Sequence, residues 1–101
     1  MITVYISIGN SDDKLTQLRW HQFFTETAFR LRRASEAGGG AIHGQWVSEP
    51  ASAWQNACWC VALHPDSAEL LKLSLAELAK DFGQDSIAWA EAPKTEFIGA
   101  S

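Results

Sequence analysis

Apolar and polar positions alternate most cleanly across residues 55–64. Trp59, Val61 and Leu63 form a bulky apolar row there, and Asn56, Cys58, Cys60, Ala62 and His64 a row of smaller, softer side chains. A period of two is the pleat of a β-strand, so this stretch predicts a central strand with two unlike faces. The same period opens the chain, where Ile2, Val4, Ile6 and Ile8 alternate with Thr3, Tyr5 and Ser7. That start has no basic segment followed by an apolar run, so it reads as a first strand and not as a leader.

The period then changes. Over residues 12–36, Trp20, Phe23, Phe24, Thr27, Ala28, Leu31 and Ala34 share one stripe at about 100° per residue, which predicts a long amphipathic helix. Asn10 or Ser11 would cap it, with Asp12 and Asp13 near its positive end. Leu15, Leu18 and Phe29 fall roughly opposite the stripe and are candidates for contact with another subunit. Residues 37–40 contain three glycines in a row and break the helix.

A second strand is expected over residues 41–48, with Ile42 and Trp46 inward and His43, Gln45 and Val47 outward. A one-residue slip would reverse that assignment. Residues 49–54 form a hairpin loop that exposes Trp54. After the central strand, Asp66 and Glu69 have capping-box spacing, and Leu71, Leu75, Leu78 and Phe82, flanked by Ala68 and Ala79, predict a second helix over residues 67–82. Gly83 suits its end. A fourth strand is expected over residues 86–91, with Ile87 and Trp89 inward, halted by Pro93.

The order βαββαβ is the split-βαβ, ferredoxin-like arrangement: an α+β sandwich with both helices on one face of a four-stranded antiparallel sheet in spatial order 4-1-3-2. Residues 1–93 would form the single domain. Residues 94–101 would be a C-terminal tail, of which 95–98 offer a short edge strand.

The sheet face away from the helices would then carry Thr3, Tyr5, Ser7, His43, Gln45, Val47, Asn56, Cys58, Cys60, Ala62, Ser86, Ala88 and Ala90. That set holds no Lys, Arg, Asp or Glu, whereas a solvated face should show them. Such a face is expected to be covered, by a second copy or by a ligand. Tyr5, His43, Gln45, Cys58, Cys60, Ala62 and Ala88 are its candidate binding residues; Leu15, Leu18, Phe29 and Trp54 are candidate interface residues.

Composition narrows the chemistry. The 101 residues carry 8 Lys plus Arg against 12 Asp plus Glu, a formal net charge of -4, which disfavours binding to a nucleic-acid backbone. Arg30, Arg32 and Arg33 read more simply as cations near a helix C-terminus than as a phosphate grip. Two cysteines at i and i+2 of one strand lie too far apart for an easy disulfide, and a reduced, cytoplasmic setting follows. Cys58, Cys60, His43 and His64 contain metal-ligand types but lack paired C-x₂-C loops, so no metal and no cofactor is expected. No segment has the length of a membrane span. The Gly-rich stretch before His43 lacks the G-K-[ST] ending of a phosphate loop, and no nucleophile-elbow pattern occurs.

The sequence therefore points to a small non-catalytic binding or regulatory protein that self-associates and recognises another protein through its neutral face or first helix. The competing expectation is a dimeric α+β-barrel enzyme or ligand sensor with a pocket on the same face.

Overall fold

The computed structural model describes the whole chain except Ser11, Pro50, Ala51, Ala53, Thr95 and Ser101. Its elements are β1 (Ile2–Gly9), α1 (Gln17–Ala37), β2 (Ala41–Val47), β3 (Asn56–Leu63), α2 (Pro65–Asp81) and β4 (Ala88–Ala92). The sheet is antiparallel in the order β2-β3-β1-β4, and the architecture is the α+β, ferredoxin-like sandwich that the alternating periods predict. No helix is long and apolar enough to cross a membrane among the described residues.

The core lies between sheet and helices. Val4, Ile6 and Ile8 of β1 and Ala57, Trp59, Val61 and Leu63 of β3 are buried, and they meet Trp20, Phe23 and Leu31 of α1 and Leu71, Leu75 and Leu78 of α2. Phe24 stacks on Trp59 with centroids 5.4 Å apart, and Phe23 stacks on Phe82 at 5.0 Å. Offset aromatic pairs of this kind hold the helix layer in one register over the central strand. Arg30, instead of serving the helix end, ties the two helices together: its Nη1 donates to the Ser74 carbonyl at 2.8 Å and to Ser74 Oγ at 3.0 Å. α1 continues to Ala37, so none of the three arginines lies in its last turn.

The first helix starts later than the pattern predicts. Thr16 is the cap, accepting from the Arg19 N–H at 3.2 Å, and Asp12 and Asp13 lie in a turn before it, with Asp13 at a left-handed φ of 56°. Asn10 caps nothing. It is 2% exposed and binds across the molecule: Nδ2 donates to the Leu15 carbonyl and to Gln55 Oε1, both at 3.0 Å, and Oδ1 accepts from the Leu15 N–H at 2.9 Å. Ser11 lies outside the described residues. At the second helix the cap is His64, whose Nδ1 accepts from the Asp66 N–H at 3.1 Å, with Pro65 at the first helical position. Pro suits that position because the missing N–H has no intrahelical partner to lose. Asp66 is therefore in the first turn and not the cap.

The glycines after α1 form a tight entry into β2 instead of a loose linker. A Cβ on Gly40 would collide with the Ala62 carbonyl of β3, so the chain passes closest to the sheet where only glycine fits. Gly39 takes a φ of 71°.

Candidate functional site

β2 carries a bulge between Ile42 and Gly44, and this changes which of its side chains face where. Before it, Ile42 pairs with Val61 and faces the helices. After it, Gln45 pairs with Trp59 and Val47 with Ala57, both helix-facing partners, while Gly44 pairs with Cys60 and Trp46 with Cys58. The sequence expectation is thus reversed for three residues: Gln45 and Val47 turn toward the helix side, and Trp46 joins the open face, 56% exposed. The helix-side placement of Gln45 satisfies a buried donor. Trp59 is 1% exposed, and its indole N–H donates to Gln45 Oε1 at 2.7 Å. Buried indoles need such a partner. His43 sits at the bulge and is exposed.

The open face is therefore built as cross-strand rows. One row runs Ala41, Ala62, Thr3, Ala92; the next Gly44, Cys60, Tyr5, Ala90; the third Trp46, Cys58, Ser7, Ala88. Asn56 extends it beside Gly9. Exchanging Gln45 and Val47 for Gly44 and Trp46 leaves the face without any Lys, Arg, Asp or Glu. Tyr5, 47% exposed, and Trp46 stand above it on either side of the Cys58 and Cys60 thiols, which are free and half-buried. Small side chains elsewhere make the rest nearly flat.

Ser86 precedes β4 and lines a groove instead of this face. Tyr5, Cys58, Cys60, Ala62 and Ala88 are brought together as the sequence indicates, whereas a pocket sharing this face loses Gln45. His64, at the end of the row, is taken up in capping α2. Among the described residues no three His, Cys, Asp or Glu side chains converge as a metal site.

Tyr5 and Cys60 are direct cross-strand partners. The Cys60 side chain directly across from Tyr5, as a polar neighbour and as a negative charge when ionised, followed by desolvation and by Cys58, holds the phenol's ionisation above its ordinary range. A thiolate accepts the phenol's proton bond and repels a phenolate. The folded state thus favours the protonated phenol. The associated stability is present below the ordinary tyrosine range and is lost as pH rises through the raised midpoint. Since the chain has one tyrosine, an absorbance titration reads it alone. Cys60→Ala is expected to lower that midpoint toward the ordinary value; an unchanged midpoint would contradict the contact.

Of the candidate interface residues, Leu18 and Phe29 are exposed on α1, at 66% and 49%, and the Arg33 guanidinium lies 5.8 Å from the Phe29 ring centroid. Trp54 is 69% exposed before β3. Leu15 is a correction. At 7% exposed it belongs to the core, because α1 begins two residues later and Asn10 holds Leu15's backbone against the sheet end. Leu70 and Leu73 of α2 are both more than two-thirds exposed, and the sequence does not mark them, since i and i+3 neighbours on the outer side of a helix resemble ordinary boundary positions.

The groove that Ser86 lines is a concavity of about 420 Å³ between α2 and β4, lined also by Leu75, Ala76, Ala79, Lys80, Ile87 and Trp89 among others. Lys72 borders it, with Nζ 3.1 Å from Glu69, 3.8 Å from Glu91 and 5.2 Å from the Trp89 ring centroid. No family model matches this chain, and no curated protein does.

Proposed function

We propose that this is a binding protein that associates with a second copy through the open face of its sheet, leaving the helix layer outward for a protein partner. What supports the reading is one observation: a four-stranded face with no charged side chain, on which Tyr5 and Trp46 stand exposed above small residues and two thiols. A face meant for water carries charge on alternate positions, as the outer sides of α1 and α2 do here. The size is close to what is needed. Four strands about 4.8 Å apart, each some seven residues long at about 3.3 Å per residue, span roughly 440 Å² in projection. Two such faces cover about 900 Å² by this flat measure, near the ~1,000 Å² of a specific interface, and the standing Tyr5 and Trp46 side chains add to it. A second copy is the fitting occupant because the face is self-complementary in charge, being neutral throughout, and an isologous contact needs only one patch.

Thiol chemistry tests this. Cys58 and Cys60 lie at the middle of the face, so association should shield them. The rate of alkylation per molecule is expected to fall about ten-fold between dilute and concentrated protein, following mass action. A rate independent of protein concentration would count against a covered face.

A further inference from the structure

β4 is an edge strand. Among the described residues it pairs with β1 alone, and its other side offers unpaired backbone groups. The concavity described above lies between α2 and the start of β4. Ile87 and Trp89 line it from the strand side, and Leu75, Ala76 and Ala79 from the helix side. At about 420 Å³ it falls within the ~300–1,000 Å³ common for binding clefts. Beyond β4, after residues 93–96, the chain presents Phe97 and Ile98, exposed at 94% and 95%, with no regular structure at residues 96–98. A free strand edge beside an apolar groove is the geometry in which an extended segment adds as a further strand.

We propose that this groove receives residues 96–98 of a second copy, which pair with β4 as a fifth strand. Charge selects the side each residue faces. Glu96 and Ile98 share one face of an extended segment and Phe97 takes the other. Lys72 and Lys80 border the groove, and Lys80 makes no ion pair among the described residues. Glu96 therefore belongs on the groove side, with Ile98 on its apolar lining. Phe97 then lies beside Ala88 and Ala90, extending the uncharged face.

The same chain is a poor source of the strand. Direct reversal after β4 would make Pro93 and Lys94 a two-residue hairpin turn. The favoured turns of that length need positive φ at their first central position, which proline cannot adopt. It would also set Glu96 opposite Glu91, a like-charge pair. A second copy is bound by neither restriction. This contact uses the sheet edge and is independent of the face-to-face association proposed above.

The test uses the full chain with its own tail disabled, Phe97→Ser with Ile98→Ser, and a fluorescent peptide of residues 94–101 followed by anisotropy. Saturable binding in the tens of micromolar is expected. Adding Ala76→Glu, an exposed helix position that tolerates glutamate, should weaken it about ten-fold by placing a charge over the groove. Adding Ala62→Arg on the open face should leave it unchanged, which separates this contact from the other. No saturable binding, or equal binding to the Ala76→Glu chain or of a peptide with Phe97 and Ile98 replaced by serine, would overturn the proposal.

Discussion

Ala62→Arg, in a chain whose tail carries Phe97→Ser and Ile98→Ser, is expected to convert the associated protein to monomers without unfolding it. Ala62 is on the open side of β3, between Ala41 of β2 and Thr3 of β1. In an isolated chain an arginine there would extend into water at little cost, because its neighbours are small. In a face-to-face dimer two guanidinium groups would be enclosed against an uncharged surface with no carboxylate within the face to pair them. Removing a charge from water without a partner costs several kcal/mol, so the association constant should fall by roughly 100-fold or more. Ala88→Glu, opposite Ser7 near the β4 edge, should act in the same direction but less strongly, since its charge can reach the rim. The same substitution at Leu73, on the outer side of α2, should leave the mass unchanged. Sedimentation velocity reads all three, and far-UV circular dichroism shows that the fold persists. With the edge contact removed by Phe97→Ser and Ile98→Ser, association that survives arginine at Ala62 would place the interface elsewhere.

Asn10→Ala is expected to be among the most destabilising single substitutions. Asn10 joins the end of β1 to the chain before α1 and to Gln55 before β3, with both ends of its amide in use. Gln55 is 7% exposed and also exchanges bonds with Gln17 of α1 at 2.7 and 3.1 Å. Alanine would leave the Leu15 N–H and carbonyl without their partner, in a site closed to water. Each stranded buried group costs about 1–3 kcal/mol, so a loss of about 3 kcal/mol is expected. For a domain of this size that is a fall in Tm of roughly 10 °C or more. Urea unfolding measures it directly. The loss should appear in the midpoint with the slope unchanged. A loss below about 1 kcal/mol would mean that the amide network is dispensable.

These two residues also mark what the sequence makes legible. The fold follows from local period alone, because a strand and a helix impose different spacings on the same apolar requirement: Val4, Ile6 and Ile8 at steps of two, Leu71, Leu75 and Leu78 at steps of three and four. The neutral face is legible for the same reason. Once strands and their inner rows are assigned, the outer row is whatever remains, and here it lacks charge. Asn10 is different. Its role depends on Gln55, 45 residues away, and no local pattern encodes that pairing. The burial of Leu15 is hidden for a related reason, since a polar stretch such as Asp12, Asp13, Lys14 and Thr16 satisfies a helix start as well as a turn.

The parity of β2 shows a second kind of limit. A strand read at strict period two puts Trp46 with Ile42, and both are apolar, so the pattern looks consistent. A bulge costs one residue of register and moves everything after it to the other face. Gly44 was the available trace, because glycine inside a strand often marks such an irregularity. The neutral face survives the bulge, because the residues exchanged are uncharged on both sides. It changed the face's character, replacing an amide with an exposed indole beside Cys58, which makes the surface more apolar than the sequence suggested.

Sedimentation equilibrium of the unmodified protein over a concentration series from low to high micromolar addresses the covered face most directly, with Ala62→Arg run alongside. The expected result is a weight-average mass of twice the chain's 11.1 kDa or more, reverting to a single chain in the variant once Phe97→Ser and Ile98→Ser also remove the edge contact. A wild-type protein that stays at the mass of one chain throughout, with both thiols reacting at the rate of free cysteine, would contradict it.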